Sequence, residues 1–466
     1  MSTLSNSLLF SSLPLNEALL KNLATIGYGA MTPIQAATLP VILNKQDVIA
    51  QAATGSGKTA AFALGLLGKI CSTHRSTQAL VVCPTRELAE QVAREIRTLA
   101  RLIPNIKVAT LCGGVPVGPQ RASLEHGVHC VVGTPGRLLD HLERGTLDLR
   151  NITTFVLDEA DRMLHMGFAD EIAQLVAALP KTRQSLLFSA TFPADIRSLS
   201  SSLQENPVLI QIAESPQEKL AISQTFYQTT EAGKPAALQA LLAHFQPEST
   251  VVFCNTKIKA QELRDELNAQ GYRVEALHGD LNQQEREQVL QLFANKSTAV
   301  LIATDVAARG LHINDLQAVL NYDMAHDAEV HVHRIGRTGR AGKQGLALSL
   351  VSDRDRAKLR ALESYLDLPI ELSPLPQVVV DATRGALRPR MITLRIEGGK
   401  KNKLRPTDIL GALTSSKKLA GSQVGKIDIG DFSSLVAIAY DHYETALQLL
   451  SSDPIKGRRF KVRVLP

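Results

Sequence analysis

Short apolar runs alternate with amphipathic stretches along most of the chain. Val48-Ile49-Ala50, Ala79-Leu80-Val81-Val82-Cys83, His129-Cys130-Val131-Val132, Thr153-Thr154-Phe155-Val156-Leu157 and Ser185-Leu186-Leu187-Phe188 are short, mostly apolar and read as buried strands. Between them, residues 60–67 and 86–100 read as helices. This alternation predicts a parallel sheet with helices on both faces. It resumes over residues 223–370, where Val251-Val252-Phe253-Cys254, Ala299-Val300-Leu301-Ile302-Ala303 and Ala318-Val319-Leu320 are the expected strands. Residues 213–222, with Pro216 and mixed charges, read as a linker, and four Pro between 369 and 389 mark a second boundary. The last stretch has another rhythm. Strands are expected at Met391–Ile396, Val424–Ile429, 434–440 and 460–465, with helices near 407–413 and 442–450. The expected division is therefore an α/β domain at 1–212, a second at 213–375, a linker at 376–389 and a small α+β module at 390–466.

Composition changes this picture little, and charge changes it more. The 466 residues are 44% apolar, enough for proper cores, with few aromatics and no Trp. No apolar stretch is long and charge-free enough to span a membrane, and residues 1–20 lack the basic start of a signal peptide. Five Cys (Cys71, Cys83, Cys112, Cys130, Cys254) show no paired spacing, an odd count that fits a reducing cytoplasm. The chain carries 51 basic and 45 acidic residues, net +6. Residues 381–466 hold 16 basic and 8 acidic, so the basic excess belongs to the last module. Such a module favours a polyanion, and binding should weaken with salt.

The candidate chemistry begins at Ala52-Ala53-Thr54-Gly55-Ser56-Gly57-Lys58-Thr59, between an expected strand and an expected helix. Backbone N–H groups of such a loop converge with a helix N-terminus on one point, which suits a polyphosphate. Lys58 can reach the outer phosphates, and the Thr59 hydroxyl can hold Mg²⁺. Asp158-Glu159-Ala160-Asp161 follows the strand ending at Leu157. Ligands of open α/β sheets gather at that end. Asp158 suits a metal, and Glu159 can take a proton from an attacking water.

Together these two runs resemble the DEAD-box RNA helicases, and further motifs of that family follow in its order over residues 10–350. Gly27-Tyr28 with Thr32-Pro33-Ile34-Gln35, and Phe10 upstream, resembles the adenine-sensing motif. Pro84-Thr85-Arg86-Glu87-Leu88, Gly113-Gly114 and Thr134-Pro135-Gly136-Arg137 resemble RNA-backbone motifs. Ser189-Ala190-Thr191 resembles the element that couples hydrolysis to strand separation. Later come Val251 to Thr256 with Asn255, Gln283 to Arg286, the run from Thr304 and Asp305 to Arg309 and Gly310, and His333-Arg334-Ile335-Gly336-Arg337-Thr338-Gly339-Arg340. The resemblance implies two RecA-like parallel-sheet domains, with ATP and Mg²⁺ between them. It implies ATP contacts from Phe10, Tyr28, Gln35, Ala53 to Thr59 and Asp305, and RNA contacts from Arg86, Gly114, Thr134, Arg137, Asn255, Arg286, Thr304 and Arg309. Coupling would fall to Asp161, Ser189, Thr191 and His333. Arg337 and Arg340, three apart and so on one face of a helical turn, would act as arginine fingers. His312 stands where the family usually carries an Asp that contacts the ribose, which predicts weaker ATP-driven closure.

The element order of the last module matches the split βαβ plan of an RNA-recognition fold. The usual stacking aromatics are missing: Thr393 and Arg395, and Leu435, Ala437 and Ala439, hold those positions. Basic loops are therefore the better candidates, with Lys400, Lys401, Lys403 and Arg405 in one and Arg458, Arg459 and Lys461 in the other. Gly398-Gly399-Lys400-Lys401, Arg405-Pro406 and residues 409–414 resemble the tail of the DbpA group of bacterial DEAD-box helicases. That resemblance implies recognition of a large-subunit rRNA hairpin with local unwinding of an adjacent duplex, on a pre-ribosomal particle during large-subunit assembly. Two other readings stand beside it: an ATP-gated RNA clamp or chaperone without productive unwinding, and, less well supported, a DNA helicase. DNA and membrane are not expected partners.

Overall fold

The computed structural model describes residues 9–53, 55–212, 222–308, 316–339, 344–376 and 387–465. The chain divides into two compact units near residue 215. In the first, seven strands run parallel: β1 (Val48–Gln51), β2 (Ala79–Val82), β3 (Val108–Leu111), β4 (Cys130–Gly133), β5 (Thr154–Leu157), β6 (Gln184–Ser189) and β7 (Val208–Gln211), in the order β3-β4-β2-β5-β6-β1-β7. Successive side chains of a strand point to opposite faces. Val48, Ala50, Val81, Val132, Val156, Leu186 and Phe188 enter one core, while Ile49, Leu80, Val82, Val131, Phe155, Leu157 and Leu187 enter the other. Both faces are thus covered by helices, which is why the expected strands are continuously apolar.

The second unit repeats the plan. Its strands β8 (Ile222–Gln228), β9 (Thr250–Cys254), β10 (Val274–Leu277), β11 (Val300–Thr304), β12 (Ala318–Asn321), β13 (Gly345–Val351) and β14 (Leu372–Ser373) follow the order β10-β11-β9-β12-β13-β8-β14. Counted from its own first strand, this is the strand order of the first sheet. The expected core strands are all present. The strands missed by the sequence pattern include the half-buried β3 and β7, whose burial alternates.

Four antiparallel strands close the second unit: β15 (Met391–Ile396), β16 (Val424–Ile429), β17 (Ser434–Ala439) and β18 (Val462–Val464), ordered β16-β17-β15-β18. Helices Pro406–Thr414 and Tyr443–Ser452 pack on one face, against Ile392, Leu394, Ile396, Val436 and Ile438. The other face is not open. The Thr393 hydroxyl lies 2.7 Å from the Ser297 hydroxyl and accepts from Asn295 Nδ2 at 3.3 Å. Met391 N donates to Lys296 O at 3.1 Å, and Leu435 and Leu465 pack on Leu292. Arg390 pairs with Glu248. The sheet face that lacks stacking aromatics is covered by the second α/β domain. Thr54, Arg309, His312, Arg340, residues 213–221 of the expected linker at 213–222 and residues 377–386 of that at 376–389 lie outside the described residues.

Candidate active site

All strands of the first sheet end on one edge, so the loops leaving them share a rim. Strand order divides that rim. The phosphate loop leaves β1, Asp158 follows β5 and Ser189 ends β6, and these three strands are adjacent. Arg86 follows β2, Gly114 follows β3, and Thr134 and Arg137 follow β4, three strands adjacent on the other side of β5.

Gly57 caps helix Lys58–Leu67 with φ +96°, a conformation that favours glycine. A Cβ there would lie 2.5 Å from Gln35 Nε2 and 3.0 Å from Thr32 Oγ1. Gln35 Nε2 donates to Gly57 O at 3.2 Å, so this side chain touches the phosphate loop directly. Its Oε1 accepts from Thr32 N at 2.9 Å, so the same side chain also ties down the start of helix Pro33–Leu43. Lys58 is buried at 6% exposure and Nζ donates to Ala52 O at 2.7 Å. Burial holds its pKa below the ordinary value against the pull of Asp158, Glu159 and Asp161. Ser56 Oγ donates to Ala53 O at 2.8 Å, Gly55 is left-handed and exposed, and Thr59 is half-buried in the helix's first turn.

Asp158 is 3% exposed; burial and then Glu159 push its carboxyl up to about 7, with Lys58 opposing. A buried carboxylate in that state gains most from a nearby cation. Asp158 with the Thr59 hydroxyl is an all-oxygen donor set of the kind that holds Mg²⁺ together with substrate phosphates. Glu159 sits at φ +54°, a strained value for a non-glycine residue, and pairs with Arg162. Asp161 Oδ2 accepts from Ala190 N at 3.2 Å, Thr191 N at 3.0 Å and Thr191 Oγ1 at 3.1 Å. Asp161 N donates to Ser189 Oγ at 3.4 Å. The β5 and β6 ends are thereby tied together. Tyr28 donates to Glu95 Oε1 at 2.6 Å, and Phe10 is buried in the core with its ring 6.1 Å from that of Tyr28. Phe10 therefore backs Tyr28 from inside.

On the other half of the rim, Arg86 Nε donates to Glu90 at 3.1 Å, and Arg137 Nη1 donates to Val115 O at 3.0 Å and Gln120 Oε1 at 3.2 Å. Gly114 is left-handed, and Thr134 N donates to Leu111 O at 3.1 Å.

The second unit holds a residue that sequence reasoning passed over. Arg334, buried on helix Ala328–Ile335, uses all five of its N–H groups. Nε and Nη2 grip the Asp305 carboxylate, both at 2.7 Å; Nη1 donates to Asn321 Oδ1 at 3.0 Å and Asp323 O at 2.7 Å; Nη2 also donates to Asn255 Oδ1 at 3.0 Å. Its guanidinium lies 5.0 Å from the Phe253 ring centre. Asn255 Nδ2 donates to Met324 O at 3.1 Å, so the Asn255 amide and the Asp305 carboxylate are held inward by the same hub. Nothing in the spacing of His333-Arg334-Ile335-Gly336-Arg337 distinguishes the buried Arg334 from its neighbours. Thr304 is buried at the end of β11, and Arg286 donates to Ala307 O at 2.7 Å. Arg337 is buried just beyond that helix, and His333 is half-buried on it.

In the last module Lys400, Lys401, Lys403, Arg405, Arg458, Arg459 and Lys461 are exposed. Lys456 Nζ donates to Lys403 O at 2.9 Å and Glu397 N to Lys461 O at 2.9 Å, so the two basic loops adjoin.

A buried lysine at a strand-to-helix loop, beside a buried aspartate and a strained glutamate, defines a nucleotide phosphohydrolase of the phosphate-loop class. The DEAD/DEAH box helicase family matches residues 32–199, the helicase conserved C-terminal domain matches 233–342, and the DbpA RNA binding domain matches 393–464. The chain is 50% identical over 451 residues to the ATP-dependent RNA helicase DbpA of Escherichia coli strain K12, covering 97% of this chain and 98% of that protein. It is 34% identical to the DbpA of Bacillus subtilis strain 168 over 97% of this chain and 98% of that one. Among solved structures, S. cerevisiae Dbp5 bound to RNA and ADP BeF3 superposes with a TM-score of 0.71 at 33% identity, over 79% of this chain and 96% of that one. The chain belongs to the DEAD-box ATP-dependent RNA helicases of the DbpA type, and carries their RNA-binding domain.

Proposed function

We propose that this helicase hydrolyses Mg²⁺-ATP on the β5-β6-β1 half of the first rim and opens a short large-subunit rRNA duplex beside the hairpin its last module holds. In this reading Lys58 and residues 53–59 hold the phosphates, and Thr59 and Asp158 hold the Mg²⁺, which neutralises phosphate charge when bound. Tyr28 and Gln35 read the adenine, with Phe10 behind Tyr28. Glu159 takes the proton of the attacking water. Arg337, with Arg340, comes from the second domain, so hydrolysis depends on closure. The carrying observation is the grip of Asp161 on Ala190 and Thr191. A change at the β5 end reaches the β6 end through one carboxylate, which supports Asp161, Ser189 and Thr191 as the coupling set. Arg334 supports a further assignment: it positions Asn255 and Asp305, and through them Thr304 and the RNA-facing loops.

The rRNA target rests on the basic excess of the last module and on its likeness to the DbpA RNA binding domain. The same likeness supports work on a pre-ribosomal particle in the cytoplasm and the domain division at 212, 375 and 389. ATPase activity is measured with large-subunit rRNA fragments, unrelated RNA and DNA at one salt concentration, alongside strand release from a duplex joined to the preferred hairpin. Selective stimulation with strand release is expected. Equal stimulation by DNA overturns the RNA assignment, and hairpin retention without strand release makes the protein a clamp.

A further inference from the structure

RNA-recognition sheets usually stack bases on aromatic residues of the sheet face. Here that face is covered by Leu292, Asn295, Lys296 and Ser297 of the second α/β domain. An aromatic ring lies elsewhere. Phe432, in the turn between β16 and β17, is 74% exposed, more than any other large apolar side chain among the described residues. Its turn is fastened to the first basic loop by backbone bonds, Lys400 N to Gly430 O at 2.9 Å and Lys401 N to Asp431 O at 3.0 Å. The Ser434 hydroxyl adds a bond to Gly398 O at 2.6 Å. The two loops run so close that a Cβ on Gly399 would lie 2.3 Å from Gly430 O. Lys400 Nζ stands 3.8 Å from the Asp431 carboxylate, so one of the two ammonium groups is partly balanced within the site.

We infer that Phe432 is a base-stacking residue, the platform on which an unpaired base of the bound RNA lies while Lys400 and Lys401 hold the phosphates beside it. The inference deepens the RNA reading of the last module and rests on it. A phenyl ring cannot read a base by hydrogen bonds, but every base offers a π face, and an exposed ring on a turn bonded to a loop with two cations matches a nucleotide's two chemistries. The loop fastening fixes the backbone from which the ring projects.

The test uses the full chain without ATP and the large-subunit rRNA hairpin that the wild-type protein binds most tightly from a tiling set. Phe432→Ala is expected to weaken binding by about 5- to 150-fold, the range for loss of one stacked base. The salt slope should stay unchanged, since no phosphate contact is lost, whereas Lys401→Ala should reduce that slope by about one. Because the chain has no Trp, Phe432→Trp introduces a single reporter. It should retain affinity, and its fluorescence should be quenched on RNA addition. An affinity for Phe432→Ala within about twofold of wild type, or an unquenched Phe432→Trp on saturated RNA, overturns the inference while leaving the RNA reading intact. Equal wild-type affinity for every hairpin overturns the rRNA target alone, and stacking is then read against that common affinity.

Discussion

β1 and β8 hold the same place in two sheets of equal strand order, and each leads to a helix that begins with a buried lysine, Lys58 in one and Lys234 in the other. Their surroundings differ. Lys58 donates to a single backbone carbonyl, and burial holds its pKa down. Lys234 stands 2.9 Å from Glu231, 3.4 Å from Asp323 and 3.5 Å from Asp355. Burial lowers its pKa too, but those carboxylates outweigh it and the net shift is upward. The fold places both lysines; the neighbouring residues decide whether the cation is ringed by carboxylates at ion-pair distance, as at Lys234, or left with one carbonyl, as at Lys58, which suits the proposed phosphate contact. The difference sets the sheet of the proposed phosphate loop apart from the other. The other uses its lysine to brace Asp323, whose Oδ2 accepts from Asn255 N at 3.0 Å.

The largest expected effect lies in the first sheet. Glu159→Gln should lower the RNA-stimulated ATPase kcat by about 10²–10⁴-fold, the usual loss of a general base, with nucleotide affinity retained. Undiminished turnover would remove Glu159 from that role. Next is the cost of unmatching a buried charge cluster. Lys234→Met leaves Asp323 without its ammonium partner and Asp355 with Lys358 alone, and should destabilise the second domain by about 3–5 kcal/mol, whereas Lys58→Met should change stability by less than about 1 kcal/mol. Denaturant unfolding of both variants reads this directly, and equal losses would erase the contrast.

A smaller effect is set by pH. His331 is buried against Phe226, and burial, then Arg334, lower its pKa from 6.5 to about 4. The unfolded chain takes the proton more readily, so stability present above pH 6.5 is lost as pH falls toward 4, on the order of 1–3 kcal/mol. His331→Gln should flatten that limb of the stability curve for the second domain; an unchanged limb would show that other groups set it. Smallest is Thr393→Val, which removes the hydroxyl bonded to Ser297 and Asn295 and should weaken docking of the last module by about 1 kcal/mol. Hydrogen exchange at β15 would report it, and unaltered protection would mean the apolar contacts suffice.

Much of this was legible in the sequence because the two-sided sheets demand continuous apolar runs, and the runs at β1, β2, β5 and β6 end where the chemistry begins. The half-buried β3 and β7 left weaker patterns. Side-chain direction was beyond spacing alone. Arg334 is one basic residue among several in its run, and only the tertiary structure shows it bonded to Asp305, Asn321 and Asn255. Phe10 read as a partner for adenine, and spacing alone did not show that it is buried with its ring 6.1 Å from that of Tyr28. The missing aromatics of the last module were visible at Thr393 and Leu435, but the surface that covers them lies about a hundred residues earlier in the chain, at Leu292 to Ser297. Lys234 carries no motif, since its three partners come from separate loops.

Titration of a fluorescent ATP analogue with Mg²⁺ into folded Lys58→Met and Lys234→Met tests the contrast most directly. Lys58→Met should bind on the order of 10²-fold more weakly than wild type, while Lys234→Met stays within about threefold. Comparable losses in both variants, or a loss confined to Lys234→Met, would contradict the assignment of the phosphates to Lys58.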